Sequence, residues 1–168
     1  MTIPAEVWLR GPVDGIEPLL QPAAHTLIQV GEDVLPLVRD LSPEQLWSRP
    51  GGVASIGFLL AHTPGSLERL LTYARGAALS KAQFAALAAE RVIHDTRPSL
   101  SSLTDTFSAA LDAALVYLRT VPASALLLPR EVGRKKLPST TLGLIFHAAE
   151  HSSRHAGQVV TLNRIVRA

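Results

Sequence analysis

Residues 141–166 read TLGLIFHAAEHSSRHAGQVVTLNRIV and place His147, His151 and His155 at four-residue intervals. Side chains four apart on an α-helix stand one turn above another on nearly the same face, so two neighbouring imidazoles can converge on one ion. Projected at about 100° per residue, Ile145, Phe146, Ala148, Ala149, Ala156, Val159, Val160 and Val166 fill one broad apolar arc, which Leu144 and Leu162 extend. His155 falls inside that arc and His151 on its edge, while His147 lies out toward Glu150, Arg154, Arg164 and Arg167. The segment is thus expected to be a long amphipathic helix with His151 and His155 facing protein and His147 facing water or a rim. Two readings of the pair stand at this point. They are metal ligands, or they are ordinary helix histidines, on the surface or in the core donating to a backbone carbonyl.

Upstream, three more segments carry the same helical periodicity. Residues 19–39 repeat Leu20, Ala23, Ala24, Leu27, Ile28, Val34, Leu35 and Val38, with Pro18 and Pro22 suited to a first turn and Gly31 and Pro36 as weak points. Ser55 caps a second helix to about Arg75, striped by Ile56, Leu59, Leu60, Leu67, Leu70, Leu71 and Ala74, with His62 beside the stripe. A third runs over 99–120, where Ser102 and Asp105 resemble a capping box. Between the second and third lies a short alanine-rich helix at 80–91. Residues 1–17 read as an irregular arm, 41–52 as a turn-rich connector with Trp47 as a core plug, and 121–139 as a long loop holding the basic run REVGRKK. That run is expected to be a solvated loop. His25 reads as structural or exposed, and His94 as a rim residue.

The expectation is an all-α fold: one domain over residues 1–168, a four-helix bundle with a short extra helix between helices two and three. Metal sites in such bundles are built from inward side chains on facing helices. A tripod of His62, His151 and His155 would leave coordination positions open, the mark of a catalytic site rather than a closed structural one.

Composition narrows the chemistry. The chain has 168 residues, 47% hydrophobic and 18% charged, enough for a real core. It has no cysteine, which excludes disulfides, thiolate metal sites and a protein-thiol nucleophile. Aromatic residues are 5%, so stacking platforms for single-stranded nucleic acid are not evident and nucleic acid is not the expected partner. The stretch MTIPAEVWLRGPVDG lacks a basic start followed by an apolar core, and no window reaches about 18 uninterrupted apolar residues, so neither secretion nor membrane spanning is expected and a cytoplasmic location with no membrane partner is the default expectation.

Two segments, SIGFLLAHTPGSLERLL at 55–71 and HAAEHSSRHAGQVVTLNRI at 147–165, resemble the hallmark segments of the DinB-like (YfiT-like) metalloenzyme family. Trp47 followed by Pro50-Gly51-Gly52 is similar to the family's lead-in to the first histidine helix. The resemblance implies a helical bundle holding one divalent ion on His62, His151 and His155. Nickel or zinc is favoured, with iron, cobalt or manganese as further choices. It also implies a homodimer and, in some members, transfer or isomerisation with a small cellular thiol such as bacillithiol or mycothiol. Two departures stand out: Pro64 sits two residues past His62, where it removes a helix hydrogen bond, and Ala156 stands where the family commonly has Arg.

The leading functional expectation is a metal-dependent transferase that activates a low-molecular-weight thiol cosubstrate against a small-molecule substrate. Gln158 is expected to support the ligands; no residue is assigned a catalytic role. Glu150 and Arg154 read as surface or interface residues. The alternatives are a metal-dependent hydrolase using bound water, and a non-catalytic metal-bound dimeric bundle.

Overall fold

Hydroxyl side chains set the starts of three of the four long helices and of a short one, while the first long helix, Gln21–Val38, begins behind Leu20 without a side-chain cap. Ser55, Ser80, Ser99 and Thr140 accept hydrogen bonds from the backbone N–H groups of Phe58, Gln83, Ser102 and Gly143, each satisfying a donor that the first helical turn leaves unpaired. The computed structural model describes residues 5–168, so residues 1–4 of the expected arm lie outside the described residues. The helices are α1 (Gln21–Val38), α2 (Pro43–Trp47), α3 (Ile56–Ala74), α4 (Lys81–Glu90), α5 (Ile93–Thr96), α6 (Leu100–Leu118) and α7 (Thr141–Arg167).

The four long helices α1, α3, α6 and α7 form the bundle. α7 packs on both α1 and α3, and α6 packs on the same two from the other side. α1 and α3 therefore stand on one diagonal and α6 and α7 on the other, which demands the two long crossovers that precede α3 and α7. Leu27, Val30 and Val34 of α1, Leu59, Leu60 and Leu67 of α3, Leu118 of α6 and Ile145 of α7 are fully buried between them. Among the described residues, no helix is long and apolar enough to cross a membrane.

Several local expectations need correction. The 41–52 connector contains α2, started by a capping box between Ser42 and Gln45. The cap of α6 is Ser99, not Ser102. Residues 121–139 are not an open loop: β1 (Pro129–Val132) pairs antiparallel with β2 (Leu137–Thr140), Pro129 opposite Thr140. Within that hairpin Arg130 is tied to the bundle, its Nε donating to the Ala74 carbonyl at 2.7 Å. α3 runs through Pro64 as a single helix. Phe146, placed in the apolar arc by projection, is exposed. The arm over residues 5–17 has one 3-10 turn, Val7–Leu9, and is held by a two-pronged Arg10–Glu32 pair at 2.6 and 2.7 Å.

Trp47 is buried, as its role as a plug requires, and it closes on α3 at Gly57. A Cβ at Gly57 would stand 2.8–2.9 Å from the indole ring, whereas a Cβ at Gly157 of α7 would meet nothing within 4 Å. Alanine gains about 1 kcal/mol over glycine inside a helix, and overpacking a core costs about 1–3 kcal/mol. Gly57→Ala should therefore lower stability in urea unfolding while Gly157→Ala raises it by up to about 1 kcal/mol; equal shifts from both would mean that Trp47 does not seal against Gly57.

Candidate metal centre

The helix register brings His62 of α3 against His151 and His155 of α7. His62 Nε2 lies 3.2 Å from His151 Nε2, and His155 Nε2 lies 3.0 Å from the same atom. Ligand nitrogens of the three lie within 4.8 Å of one another, and among the described residues no other His, Asp or Glu joins the group. All three are partly buried.

The outward nitrogens explain why the inward ones converge. His62 Nδ1 faces a carboxylate oxygen of Glu90 at 3.0 Å and therefore carries a proton that it donates. His155 Nδ1 does the same to Gln158 Oε1 at 2.7 Å. Both Nε2 atoms are consequently lone-pair acceptors aimed into one small volume. His151 Nδ1 faces the guanidinium of Arg154 at 3.4 Å, a group that only donates, so in the metal-free protein the His151 proton sits on Nε2, between the other two nitrogens.

A divalent ion fits this donor set. Nitrogens 2.0–2.1 Å from one ion stand about 3.0 Å apart in octahedral and about 3.4 Å apart in tetrahedral geometry. The observed separations of 3.0 and 3.2 Å fall between the two. Three neutral imidazoles suit zinc, nickel, iron or copper better than calcium or magnesium. Binding through all three Nε2 atoms would move the His151 proton to Nδ1 and leave Arg154 to Glu150, which it already holds at 2.6 Å.

Glu90, the last residue of α4, is the functional residue that sequence reasoning missed. Its carboxylate binds Arg69 as well as His62, and its side chain is only 11% exposed. Burial pushes its pKa up, but the hydrogen bonds from His62 and Arg69 together outweigh this and hold it below the usual carboxylate value. The contact needs Gly65, since a Cβ there would overlap the Glu90 carboxylate and come within 2.8 Å of Arg69 Nη1. A glycine three residues past His62 in mid-helix is the one sequence signal that could have pointed to it.

The remaining histidines stay outside the cluster. His147 is half-exposed and pairs with Glu150 at 3.3 Å, and His25 Nε2 bonds the Gly11 carbonyl at 2.9 Å. His94 belongs to α5, where it bonds Ser55 Oγ at 3.0 Å and stacks on Phe58, whose other face covers His62. Ala156 is buried, so this chain offers no cation at the position where the family commonly has Arg. The nearby cation is Arg154.

Burial, and then the neighbouring His155 and His62, lower the His151 pKa to about 4, and burial also lowers that of His155. Above about pH 6.5 these groups are neutral in folded and unfolded chains alike, while below it the unfolded chain takes up protons that the fold resists. Metal-free protein should accordingly lose stability as pH falls from about 6.5 toward 4, and chemical denaturation at a series of pH values checks this. For metal binding, His155→Ala should abolish a stoichiometric site and His147→Ala should leave it intact. Glu90→Gln should weaken affinity by about 10–100-fold. Elemental analysis and competition with a chelating dye read all three variants.

The sequence model of the DinB superfamily matches residues 26–159, a span that holds all three converging histidines, Glu90 and Gln158. Among curated proteins, none matches the chain. With the match extending over most of its length and the helical bundle in place, the chain belongs to the DinB superfamily.

Proposed function

We propose that this protein is a metal-dependent transferase that joins a small thiol cosubstrate to an electrophilic small molecule. The observation that carries the reading is a group of three imidazole nitrogens to which no other protein ligand is added among the described residues, so exogenous molecules have coordination positions to fill. A divalent ion held there supplies a Lewis acid that makes a thiol or a water a competent nucleophile near neutral pH. The chain has no cysteine, so a transferred sulfur must arrive on a cosubstrate. Glu90 and Gln158 hold the rings of His62 and His155 in orientation through their Nδ1 protons. Phe58, stacked 5.4 Å from His62 and nearly parallel to it, shields that ring on one face. Nickel or zinc, a cytoplasmic location and a homodimer complete the reading.

Metal-loaded protein should conjugate bacillithiol, mycothiol or glutathione to a model electrophile faster than metal-stripped protein, and His151→Ala should erase the difference. Turnover of an ester, amide or phosphodiester without thiol transfer would replace the transferase by a hydrolase. A loaded protein inert in both assays would leave a bundle whose metal serves stability.

A further inference from the structure

We infer that the cleft between α7 and the turn that precedes α3 is the pocket for the electrophilic substrate, and that it takes an apolar molecule with an anionic or acceptor head, a carboxylate or a ketone or aldehyde oxygen. The inference rests on the transferase reading and names the substrate class for it. The cleft holds about 560 Å³, within the usual range for small-molecule sites. It begins at Gln158 and Arg154, the residues bonded to His155 and His151, and runs along α7 toward Ile165.

Its polar end offers donors. The Gln158 oxygen is taken by the His155 Nδ1 proton, which leaves the carboxamide NH₂ with no protein partner among the described residues. Arg154 engages Glu150 through Nε and Nη2, and its Nη1 likewise makes no hydrogen bond among the described residues. The Thr161 hydroxyl donates to the Gly157 carbonyl, and no Asp or Glu lines the cleft. A cationic head therefore finds no balancing carboxylate there, whereas a carboxylate or carbonyl oxygen finds donors on Gln158 and Arg154, the side chains bonded to His155 and His151.

Its body is apolar and built. Val53 and Ile165 both line it and are 52% and 51% exposed, side chains that a ligand would cover. The Val53 wall is a fixed turn: Gly51 and Gly52 take φ values of 63° and 79° that favour glycine, and Arg49 clamps the carbonyls of Val53 and Gly52 at 3.2 and 3.1 Å. On the α7 side Gly157 supplies the width, because nothing stands within 4 Å of where its Cβ would be. A bulky side chain at Gly157 would fill the cleft without touching the core.

The test uses octanoate and octylammonium as probes, titrated by calorimetry into metal-loaded full-length protein, Gly157→Phe and Val53→Asp, with metal content and melting temperature measured on each. Octanoate should bind the unaltered protein and bind at least tenfold more weakly to both variants, with their metal content unchanged. Octylammonium should bind the unaltered protein at least tenfold more weakly than octanoate. Octanoate that fails to bind, or binds the variants as well as the unaltered protein, overturns the cleft assignment. Equal binding of octylammonium overturns the donor-head argument. Dissociation of a dimer by Gly157→Phe with octanoate affinity unchanged gives the cleft to a second copy instead. Loss of metal or thiol conjugation in the unaltered protein is a separate result and overturns the transferase reading itself.

Discussion

Three imidazole lone pairs can share one small volume only if something positive stands among them. Here the convergence is imposed from outside: Glu90 and Gln158 accept the Nδ1 protons of His62 and His155, which turns their Nε2 lone pairs inward toward His151. In the metal-free protein a single proton on His151 Nε2 can donate to only one of its two neighbours at a time. A cation satisfies all three at once. The low proton affinity of His151 follows from the same crowding, since burial and two adjacent imidazoles oppose a local positive charge that no carboxylate directly balances. The arrangement favours a divalent ion bound by neutral ligands over protonation of the ligands themselves.

Holding that geometry is the work of the bundle. α3 and α7 must pack closely and in one register, and α7 touches both α1 and α3 because these two stand on one diagonal of the bundle while α6 and α7 occupy the other. Along α7, the buried Ala148, Ala149, Ser152 and Ala156 keep the helix surface small around the histidines. Ser152 returns its hydroxyl to the Ala148 carbonyl, so a polar atom near the core has a partner.

What was legible in the sequence was what is local. His151 and His155 are one helical turn apart, so their convergence needs only the period of the helix, and the phase of the apolar arc separated them from His147. The bundle was legible for the same reason, as α1, α3, α6 and α7 each carry their own stripe. The hairpin was hidden because Pro129 and Pro138 sit inside its strands and a charged run joins them, both of which ordinarily argue against a sheet. The cap of α6 was misplaced because Ser99, Ser101 and Ser102 offer competing hydroxyls within one turn. Glu90 was hidden more deeply. It meets His62 across 28 residues, from a helix that buries none of its own residues and so shows no stripe to orient it.

That last feature bears on why the Glu90–Arg69 pair exists at all. A largely buried ion pair seldom stabilises a fold beyond what an apolar pair of similar volume would, because desolvation offsets the attraction. Stability alone is therefore a weak reason to bring a carboxylate and a guanidinium together at 11% and 12% side-chain exposure. An apolar pair could dock α4 equally well, but it could not accept a proton from His62 Nδ1. The carboxylate can, and the hydrogen bonds from His62 and Arg69 keep it ionised despite burial, so that it remains an acceptor when His62 must present Nε2 unprotonated. Gly65 fits the same account: it gives up helix propensity at mid-helix, and what it gains is room for the Glu90 carboxylate to reach the imidazole. A buried pair of doubtful value to stability and a costly glycine thus both make sense as the means by which α4 fixes the orientation of one histidine.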